Sequence, residues 1–457
     1  MKVLWLCNLI LPEIARELGL DASNKEGWVA GLAEIMLKNQ EQNQIDLAVA
    51  SPVPEHLLAS LDDVLVREFC VKGGKVTFFG FAENVADPHR YDSQLEKRLG
   101  SVLEIFSPQV IHCFGTEFPH TLAMCRAAKD KSRILITIQG LCAPYAEAYE
   151  ADLPRRVIRR KTFRDILKKD DILAQKEKFR LRGMYECEAV SLAGNLGGRT
   201  AWDQHYAELW NPRARYFVIK ETLRSNFYEG RWERNQVKTH SIFLSQGDYP
   251  IKGLHYMLLA MPMILERYPD AKVYVAGNRI TAYNTWKEKL KISSYGKYLR
   301  ELMVRFHLEE KVIFLGKLNS MQMKEQYLKS SLFVCPSSIE NSPNSLGEAM
   351  LLGMPCVTSD VGGILSIFDA GKDGIVYQGF RTGEKAEDDQ ALEKVAGNLA
   401  KAVLEIWSDP EKEKVYCQNA REHALRNHDG NENYRRTLEV YAEVAGGSEE
   451  RGKLENV

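Results

Sequence analysis

Short apolar runs alternate with longer amphipathic stretches along this chain, and the alternation occurs in two successive series. The short runs are typical of buried strands, and the stretches between them repeat their apolar residues with helical spacing. Such alternation predicts α/β units in which helices cover parallel sheets, because a parallel connection needs a long crossover. The candidate strands are residues 2–8, 45–51, 76–81, 110–115, 134–140, 241–247, 272–278, 312–317, 332–337 and 355–359.

The length of the chain supports two domains. One hydrophobic core seldom organises 457 residues, and each series of strands and helices is long enough to build its own core. A sparsely apolar stretch at 221–240 separates the two series and predicts the linker. We expect a first domain over 1–230 and a second over 231–425. Residues 426–457 are expected to form a C-terminal helix, which could cross back to the first domain, followed by a polar tail.

Composition excludes several classes of protein. The formal net charge is -1, so the chain as a whole has no attraction for nucleic acid. The nine cysteines form no CxxC pair and lie mostly in strand-like runs, which indicates reduced core residues. Asn8 and Pro12 interrupt the N-terminal apolar run, which predicts a strand, and no run is long enough for a membrane span. We therefore expect a cytoplasmic protein.

The segment 155–182 departs from this average composition. It is dense in Arg and Lys, and its apolar residues are spaced to form a stripe, which predicts a basic amphipathic helix or a pair of helices. Two interpretations stay open. The segment is either the solvated face of an ordinary domain or a surface for peripheral contact with an anionic membrane or a lipid-phosphate acceptor.

The passage after the strand at 332–337 carries the most chemical information. Ser342 as N-cap, Pro343 at the first helical position and Gly353 just beyond the end predict a short helix. A helix N-terminus offers unpaired amides that bind phosphate. The amides in question belong to Asn344, Ser345 and Leu346.

Two glutamates bracket this predicted anion site. Glu340 precedes the helix and Glu348 lies in its second turn. A carboxylate accepts hydrogen bonds from vicinal hydroxyls, so a diol on each side of a diphosphate describes a nucleotide sugar. The alternative is that Glu340 is an ordinary loop residue and Glu348 an exposed helix residue.

The spacing of these glutamates resembles that of the retaining glycosyltransferases of family 4. Two glutamates separated by seven residues are followed by the strand at 355–359 and by Gly362 and Gly363. A Lys-Gly pair at 252–253 after the strand at 241–247 adds to the likeness. The resemblance implies a GT-B fold, in which two doubly wound Rossmann-like domains face each other across a cleft.

The resemblance also assigns roles in this chain. Lys252 would hold the diphosphate and Glu340 the transferred sugar, and these two are the predicted catalytic residues. Glu348 would hold the ribose hydroxyls, and the backbone around Lys317 and Leu318 would contact the base. No metal and no cofactor are expected, because the chain has no Asp-x-Asp triplet and the nucleotide sugar is itself a substrate.

Two positions near the donor need comment. Members of the family commonly place an arginine before the Lys-Gly pair, where this chain has Gln246, which brings no charge to a diphosphate. Gly27 lies at the start of a predicted helix, where the family carries a glycine-rich turn close to the donor phosphates. Both are expected to line the substrate site.

The first domain matches the family less well. Gln139 lies near the end of the strand at 134–140, where the family often has a histidine, so a general base is not assigned there and Gln139 is kept as a substrate-binding candidate. His112 and His120 are the histidines nearest by strand position, and His112 is retained as a substrate-binding candidate, although either is more often structural. Arg199 and Asp203 either line the cleft or brace the end of a strand.

Taken with the resemblance, these residues predict a retaining transfer from a nucleotide diphosphate sugar to a glycan or lipid-linked acceptor. Cell-surface polysaccharide biosynthesis is the expected context. Two alternatives stay open: a nucleotide-sugar epimerase or hydrolase on the same fold, and a non-catalytic nucleotide-sugar-binding protein. The first consumes donor without an acceptor, and the second binds donor and turns nothing over.

Overall fold

The structure of the chain is a computed structural model that describes residues 1–21, 27–379 and 389–454. It divides into two compact units, which are treated separately below. Unit 1 comprises Met1–Ala143, Phe179–Arg224 and His428–Val457, and unit 2 comprises Pro144–Lys178 and Ser225–Asn427.

The strands of the described residues form one sheet in each unit. In chain order they are β1 (Lys2–Leu6), β2 (Asp46–Pro52), β3 (Leu65–Val71), β4 (Gly74–Phe81), β5 (Val110–Phe114), β6 (Ile134–Thr137), β7 (Asn195–Gly198), β8 (Arg215–Val218), β9 (Lys238–Leu244), β10 (Lys272–Ala276), β11 (Val312–Gly316), β12 (Ser330–Cys335), β13 (Cys356–Ser359) and β14 (Ile375–Tyr377).

Helices of the described residues connect these strands. In chain order they are α1 (Pro12–Glu17), α2 (Gly27–Lys38), α3 (Gln40–Asn43), α4 (Gln94–Phe106), α5 (Pro119–Ala127), α6 (Cys142–Ala148), α7 (Arg155–Ile158), α8 (Phe163–Lys168), α9 (Ile172–Leu192), α10 (Ala201–Trp210), α11 (Leu254–Arg267), α12 (Trp286–Lys291), α13 (Ser294–Arg305), α14 (Ser320–Lys329), α15 (Asn344–Leu351), α16 (Asp389–Ser408), α17 (Pro410–Asn427) and α18 (Gly430–Leu454).

Unit 1 is built on an eight-stranded sheet in the order β3-β4-β2-β1-β5-β6-β7-β8. All neighbouring strands are parallel except β3 and β4, which form an antiparallel pair. Apolar clusters bury both faces of the central strands, as a parallel sheet requires. On one face α18 packs against the sheet, where the hydroxyl of Tyr441 accepts a hydrogen bond from the Trp5 indole at 2.9 Å.

Unit 2 is built on a six-stranded, fully parallel sheet in the order β11-β10-β9-β12-β13-β14. From β9 the chain proceeds outward through β10 to β11, then returns to place β12 on the other side of β9. The carboxyl ends of β9 and β12 therefore lie side by side at the point where strand order reverses. In such sheets ligands bind at this point.

The segment 144–178 differs from the expectation that the whole of 1–230 forms one domain, because it packs with unit 2. His255 in α11 bonds to the Ala151 carbonyl at 2.9 Å, and the Asp165 carboxylate accepts the Ser294 amide of α13 at 2.9 Å. Such partners are distant in sequence, so no local pattern indicates them.

The ten predicted strands are all present, and the described chain has four more: β3, β7, β8 and β14. The additional strands are edge strands or short ones, with three to seven residues each. Within residues 285–306 the chain forms two helices, α12 and α13, because the Ser293 hydroxyl accepts the Gly296 amide and starts a new helix. None of the described helices has the length and apolarity needed to cross a membrane.

Candidate active site

The residues predicted to bind the donor follow the carboxyl ends of the strands of unit 2. Lys252 follows β9, Glu340 follows β12, and Lys317 and Leu318 come directly after β11. Because the sheet is fully parallel, all these ends lie at one edge. Lys252 and Glu340 meet where β9 and β12 adjoin.

Lys252 and Glu340 form an ion pair, with 2.5 Å between the ammonium Nζ and Oε1 of the carboxylate. The Ser337 hydroxyl donates a second hydrogen bond to the same oxygen at 2.8 Å. Burial alone lowers the pKa of Lys252, but the adjacent charge of Glu340 outweighs it and the pKa lies above its usual value. The ammonium is therefore charged at neutral pH. The Lys252 side chain is 24% exposed, against 7% for that of Glu340, so the cation is the open member of the pair.

Two glycines allow the loops that carry this pair to approach closely. Gly253 has a φ of +71°, and a Cβ there would come within 1.8 Å of the Pro336 carbonyl oxygen. Gly362 has a φ of +54°, and a Cβ there would come within 1.9 Å of the Glu340 carbonyl oxygen. That oxygen accepts the Gly363 amide at 2.9 Å. The Lys-Gly pair and the glycine pair thus hold the two catalytic candidates in place.

The helix after Glu340 begins one residue later than predicted. Pro343 is the N-cap of α15, with extended ψ, and Ser342 lies before it without capping the helix. The Leu346 amide donates to the Pro343 carbonyl at 2.9 Å, so one of the three predicted amides is already used. The first-turn amides of Asn344 and Ser345 are those that a helix leaves for a ligand.

Glu348 is buried in the second turn of α15, with 3% of its surface exposed. The interpretation of this residue as an exposed helix glutamate is therefore wrong. Glu340 is likewise buried, at 5%. Two buried carboxylates within one short loop and helix are costly unless polar partners surround them, which favours a functional origin.

The remaining predicted residues of unit 2 lie at the same edge. Gln246 is half-buried in the loop after β9, between the strand and Lys252. Gly316 ends β11 with a φ of +76°, so that Lys317 is exposed and Leu318 half-buried before α14 begins. These positions agree with a role near a bound ligand but assign none.

A cavity of 510 Å³ beside this edge was not predicted. Its lining comes from the loops after β9 and β10, from α12 and the start of α13, and from the segment 144–178. It includes Arg164, Asp170, Asp248, Arg279, Lys291 and Tyr295. Sequence reasoning missed the cavity because it depends on how 144–178 packs.

In unit 1 the predicted residues are held by protein partners. His112 is 1% exposed, and its two ring nitrogens lie 2.6 Å from the Tyr441 hydroxyl and 3.0 Å from the Thr137 hydroxyl. Burial lowers its pKa to about 3, so the ring is neutral. His120 is also buried and lies 2.6 Å from Glu83. Both histidines have the contacts of structural residues.

Gln139 belongs to a buried network at the ends of β6 and β7. Its side-chain oxygen accepts from Arg199 at 3.2 Å, and Arg199 pairs with Glu221 at 2.7 Å. Asp203 forms a capping box with Thr200 at the start of α10. The cavity that Gln139, Arg199 and His112 line has a volume of 30 Å³, room for about one water molecule. The observed contacts are thus those of a brace at the strand ends.

Gly27 is the first residue of α2. The turn that precedes it, at 22–26, lies outside the described residues. A glycine-rich approach to donor phosphates at this point therefore stays a prediction.

Sequence reasoning missed two glutamates of unit 1, the half-buried Glu117 and the buried Glu186. Glu117 follows β5 and accepts the Gly140 amide at 3.0 Å, and burial raises its pKa. Glu186 in α9 is fully buried, accepts the Thr116 hydroxyl at 2.5 Å and the Ala143 amide at 3.0 Å, and burial raises its pKa to about 7. A lone glutamate in a helix gives no sequence signal of burial.

Three possible metal ligands come together in one group of described residues, Asp369, Asp373 and His423, whose ligand atoms lie within 4.8 Å of one another. Asp373 already accepts from His423 at 2.6 Å and from the Asp369 amide at 2.8 Å. These hydrogen bonds account for the cluster as a structural one, and none of the three is a predicted site residue.

Comparison with known proteins matches part of unit 2 to a family model. Residues 228–423 match the family model described as glycosyl transferases group 1. An uncharacterized glycosyltransferase of Methanocaldococcus jannaschii is 34% identical over 124 residues, which is 27% of this chain and 28% of that protein. The chain spans between 28% and 38% of the length of the curated relatives that it matches.

Solved structures resemble the whole chain. Sucrose-phosphate synthase from Thermosynechococcus elongatus aligns with a TM-score of 0.66 at 12% identity, covering 98% of this chain and 100% of that one. The Anabaena protein HepE, solved with UDP-glucose, aligns with a TM-score of 0.58 at 15% identity, covering 97% and 99%. At these identities the likeness concerns the fold, and it confirms the predicted GT-B class of two Rossmann-like units.

Proposed function

The region 228–423 belongs to the group 1 glycosyltransferases, and from this premise we propose that the chain is a retaining enzyme that uses a nucleotide diphosphate sugar. The acceptor in this proposal is a glycan or a lipid-linked glycan precursor of a cell-surface polysaccharide. The family 4 resemblance of the glutamate spacing is consistent with that membership.

The observation that carries the proposal is the Lys252–Glu340 pair at the switch point, beside the N-terminus of α15. A diphosphate placed there meets the Lys252 ammonium and the amides of Asn344 and Ser345. It would displace Glu340 from the lysine and leave that carboxylate to accept hydrogen bonds from sugar hydroxyls. Both partners of the ion pair thus acquire ligand contacts.

The other roles in this proposal are those that the family 4 resemblance implies. Glu348 binds the ribose hydroxyls, and the backbone at Lys317 and Leu318 contacts the base. Gln246 stands where the family commonly has an arginine and supplies hydrogen bonds without charge. The diphosphate therefore depends more heavily on Lys252 and on α15 than it does where an arginine is present.

The proposed chemistry is a front-face transfer. The glycosidic bond to the diphosphate breaks as the acceptor oxygen approaches the same face of the sugar, and a departing phosphate oxygen takes the acceptor proton. Negative charge grows on the diphosphate in the transition state. Lys252 and the α15 amides stabilise that charge by position alone, a role that requires no metal ion.

Thermal stabilisation by nucleotides tests the donor site directly. The protein is melted with UDP, GDP, ADP and dTDP and their glucose conjugates, in the presence of EDTA. A ligand at a hundredfold its dissociation constant adds roughly 2.7 kcal/mol of stability. We expect one nucleotide to stabilise the wild type, and Glu348→Gln to lose most of that shift.

The exposed Glu310→Gln is the matched control and should keep the full shift. Incubation of the stabilising donor alone then separates the alternatives. If the donor is converted to an epimer or to free sugar at the full rate without acceptor, the protein is an epimerase or a hydrolase. If the donor binds but is not turned over with any acceptor of a panel, the protein is non-catalytic. If no nucleotide stabilises the wild type, the donor proposal fails.

A further inference from the structure

Helix α8 in unit 2 carries three large apolar side chains in contact with solvent. Phe163 is 60% exposed, Ile166 64% and Leu167 72%. Single exposed apolar residues are common, but three on six consecutive positions make a continuous patch. We call Phe163, Ile166 and Leu167 the α8 patch.

The α8 patch faces outward because the buried side of the helix is polar. Asp165 is fully buried, forms a capping box with Thr162, and accepts the Ser294 amide at 2.9 Å. Arg164 is tied to Asp170 by two hydrogen bonds of 2.7 and 2.8 Å. The usual arrangement of a surface helix, apolar inside and polar outside, is thus inverted. A protein core does not account for the apolar side chains.

Unpaired cations surround the patch in sequence. Arg160, Lys161 and Arg164 each pair with a carboxylate. Residues 155–169 contain five more Arg and Lys residues, all of them exposed, and no carboxylate of the described residues lies within 4.0 Å of their charged groups. These are Arg155, Arg156, Arg159, Lys168 and Lys169.

We propose that the α8 patch and these five cations dock unit 2 onto the surface of an anionic lipid bilayer. The apolar side chains enter the boundary between headgroups and acyl chains, while the arginines and lysines meet the lipid phosphates. The charge is local, because the whole chain has a formal net charge of -1. The positive charge beside the patch is therefore confined to a short stretch of the chain, residues 155–169.

A second copy of the chain fits this surface poorly. A two-fold contact through the patch places the same surface on both sides, so five cations would oppose five cations. Nucleic acid supplies the phosphates but offers no apolar phase for Phe163, Ile166 and Leu167. An anionic bilayer provides both. The inference does not depend on the donor chemistry proposed above, because it rests on residues that take no part in it.

Co-sedimentation with vesicles tests the proposal. The full chain is mixed with phosphatidylcholine vesicles with or without phosphatidylglycerol, at low and high salt. We expect binding to the anionic vesicles at low salt and weaker binding at high salt, because salt screens the attraction. Phe163→Ser/Leu167→Ser and, separately, Lys168→Glu/Lys169→Glu should each lower the partition coefficient about tenfold or more.

Matched controls alter the same chemistry elsewhere. Leu209→Ser removes an apolar side chain that is 62% exposed in unit 1, and Lys401→Glu/Lys414→Glu reverses two exposed lysines of α16 and α17. Both controls should bind like the wild type. Melting temperatures verify that every variant is folded, and the nucleotide-induced shift shows separately whether the donor site is intact.

Three results would overturn the proposal. The wild type could fail to bind anionic vesicles at low salt, or bind them equally after either patch double substitution. Light scattering could instead show an oligomer that Phe163→Ser/Leu167→Ser dissociates, which would make the patch a self-association surface. None of these results bears on nucleotide binding, so failure here is distinguishable from failure of the proposed function.

Discussion

Each unit carries a cation–carboxylate pair at the carboxyl edge of its sheet, and the two pairs differ in how far they are closed. In unit 2 the Lys252 side chain is 24% exposed beside a Glu340 side chain that is 7% exposed. In unit 1 the Arg199 and Glu221 side chains are 7% and 9% exposed. The first pair leaves its cation open to a ligand, whereas the second encloses both charges within the protein.

The surroundings of the two pairs sharpen this difference. Beside Lys252 and Glu340 lies the N-terminus of α15, which presents amides to an anion. Beside Arg199 and Glu221 lies a cavity of 30 Å³, too small for a sugar ring. Similar topology therefore accompanies the candidate ligand site in one unit and a structural brace in the other. Accessibility of the charge, more than its place in the fold, distinguishes the two.

Removing the enclosed cation should have the largest effect. Arg199→Met leaves Glu221 buried without its partner, and we expect a loss of about 3–5 kcal/mol in the unfolding free energy of unit 1. Calorimetry of the melting transitions measures it. Arg199→Met/Glu221→Leu, which removes both charges, should recover most of the loss.

The two exposed ion pairs of Arg126, with Glu96 and with Glu188, supply the control. Arg126→Met should cost at most about 1 kcal/mol, because water already screens those charges. If Arg199→Met left stability unchanged but abolished sugar transfer, the brace interpretation would be wrong and Arg199 would belong to a functional site.

The open pair should respond in activity rather than in stability. Glu340→Gln keeps the size of the side chain and removes its charge, while Lys252 stays hydrated because it is partly exposed. We expect turnover of the stabilising donor to fall roughly 10²–10³-fold, the range found when one preorganised electrostatic contact is lost. The melting temperature should change little. Steady-state kinetics on Glu340→Gln, with Glu310→Gln as control, would refute this expectation if both variants turned over alike.

The difference between the pairs also explains what the sequence could predict. The candidate site of unit 2 is made of residues close to strand ends, with local markers: a Lys-Gly pair, two glutamates separated by seven residues, and a glycine pair. Each marker has a local physical cause, such as the close backbone approaches at Gly253 and Gly362. Signals of this kind can be recognised in one sequence, because they depend on residues that are near one another in the chain. The start of α15 was misplaced by one residue because Ser and Pro are both plausible at a helix start.

The features that escaped prediction depend on contacts between distant segments. The packing of 144–178 on unit 2, the burial of Glu186 and the contacts of His112 with Tyr441 and Thr137 join residues far apart in the chain. The antiparallel strand β3 was missed because Arg67 and Glu68 interrupt its apolar pattern on an exposed edge. The basic character of 155–182 was visible, but its inverted helix α8 was not, because only the structure shows that Asp165 points inward.

The smallest of the expected effects concerns Glu186 and its pH dependence. Its pKa is raised by burial from 4.5 to about 7 in the folded chain, so folding favours the protonated carboxyl. The stability this provides is complete below about pH 4.5 and is lost as the pH rises through 7. Glu186→Gln cannot ionise, and its amide can donate to the Thr116 hydroxyl while its oxygen accepts the Ala143 amide.

Between pH 5 and pH 8, Glu186→Gln should therefore gain about 2–3 kcal/mol of stability relative to the wild type. Denaturant melts of both proteins across this range measure the gain, and Glu208→Gln on the exposed face of α10 should show none. A gain would show that Glu186, like the enclosed ion pair of unit 1, affects the free energy of unfolding rather than activity. The opposite result would be that the unfolding free energies of variant and wild type depend on pH in the same way while Glu186→Gln loses sugar transfer. Glu186 would then belong to a functional site, and the distinction between the two units would not hold.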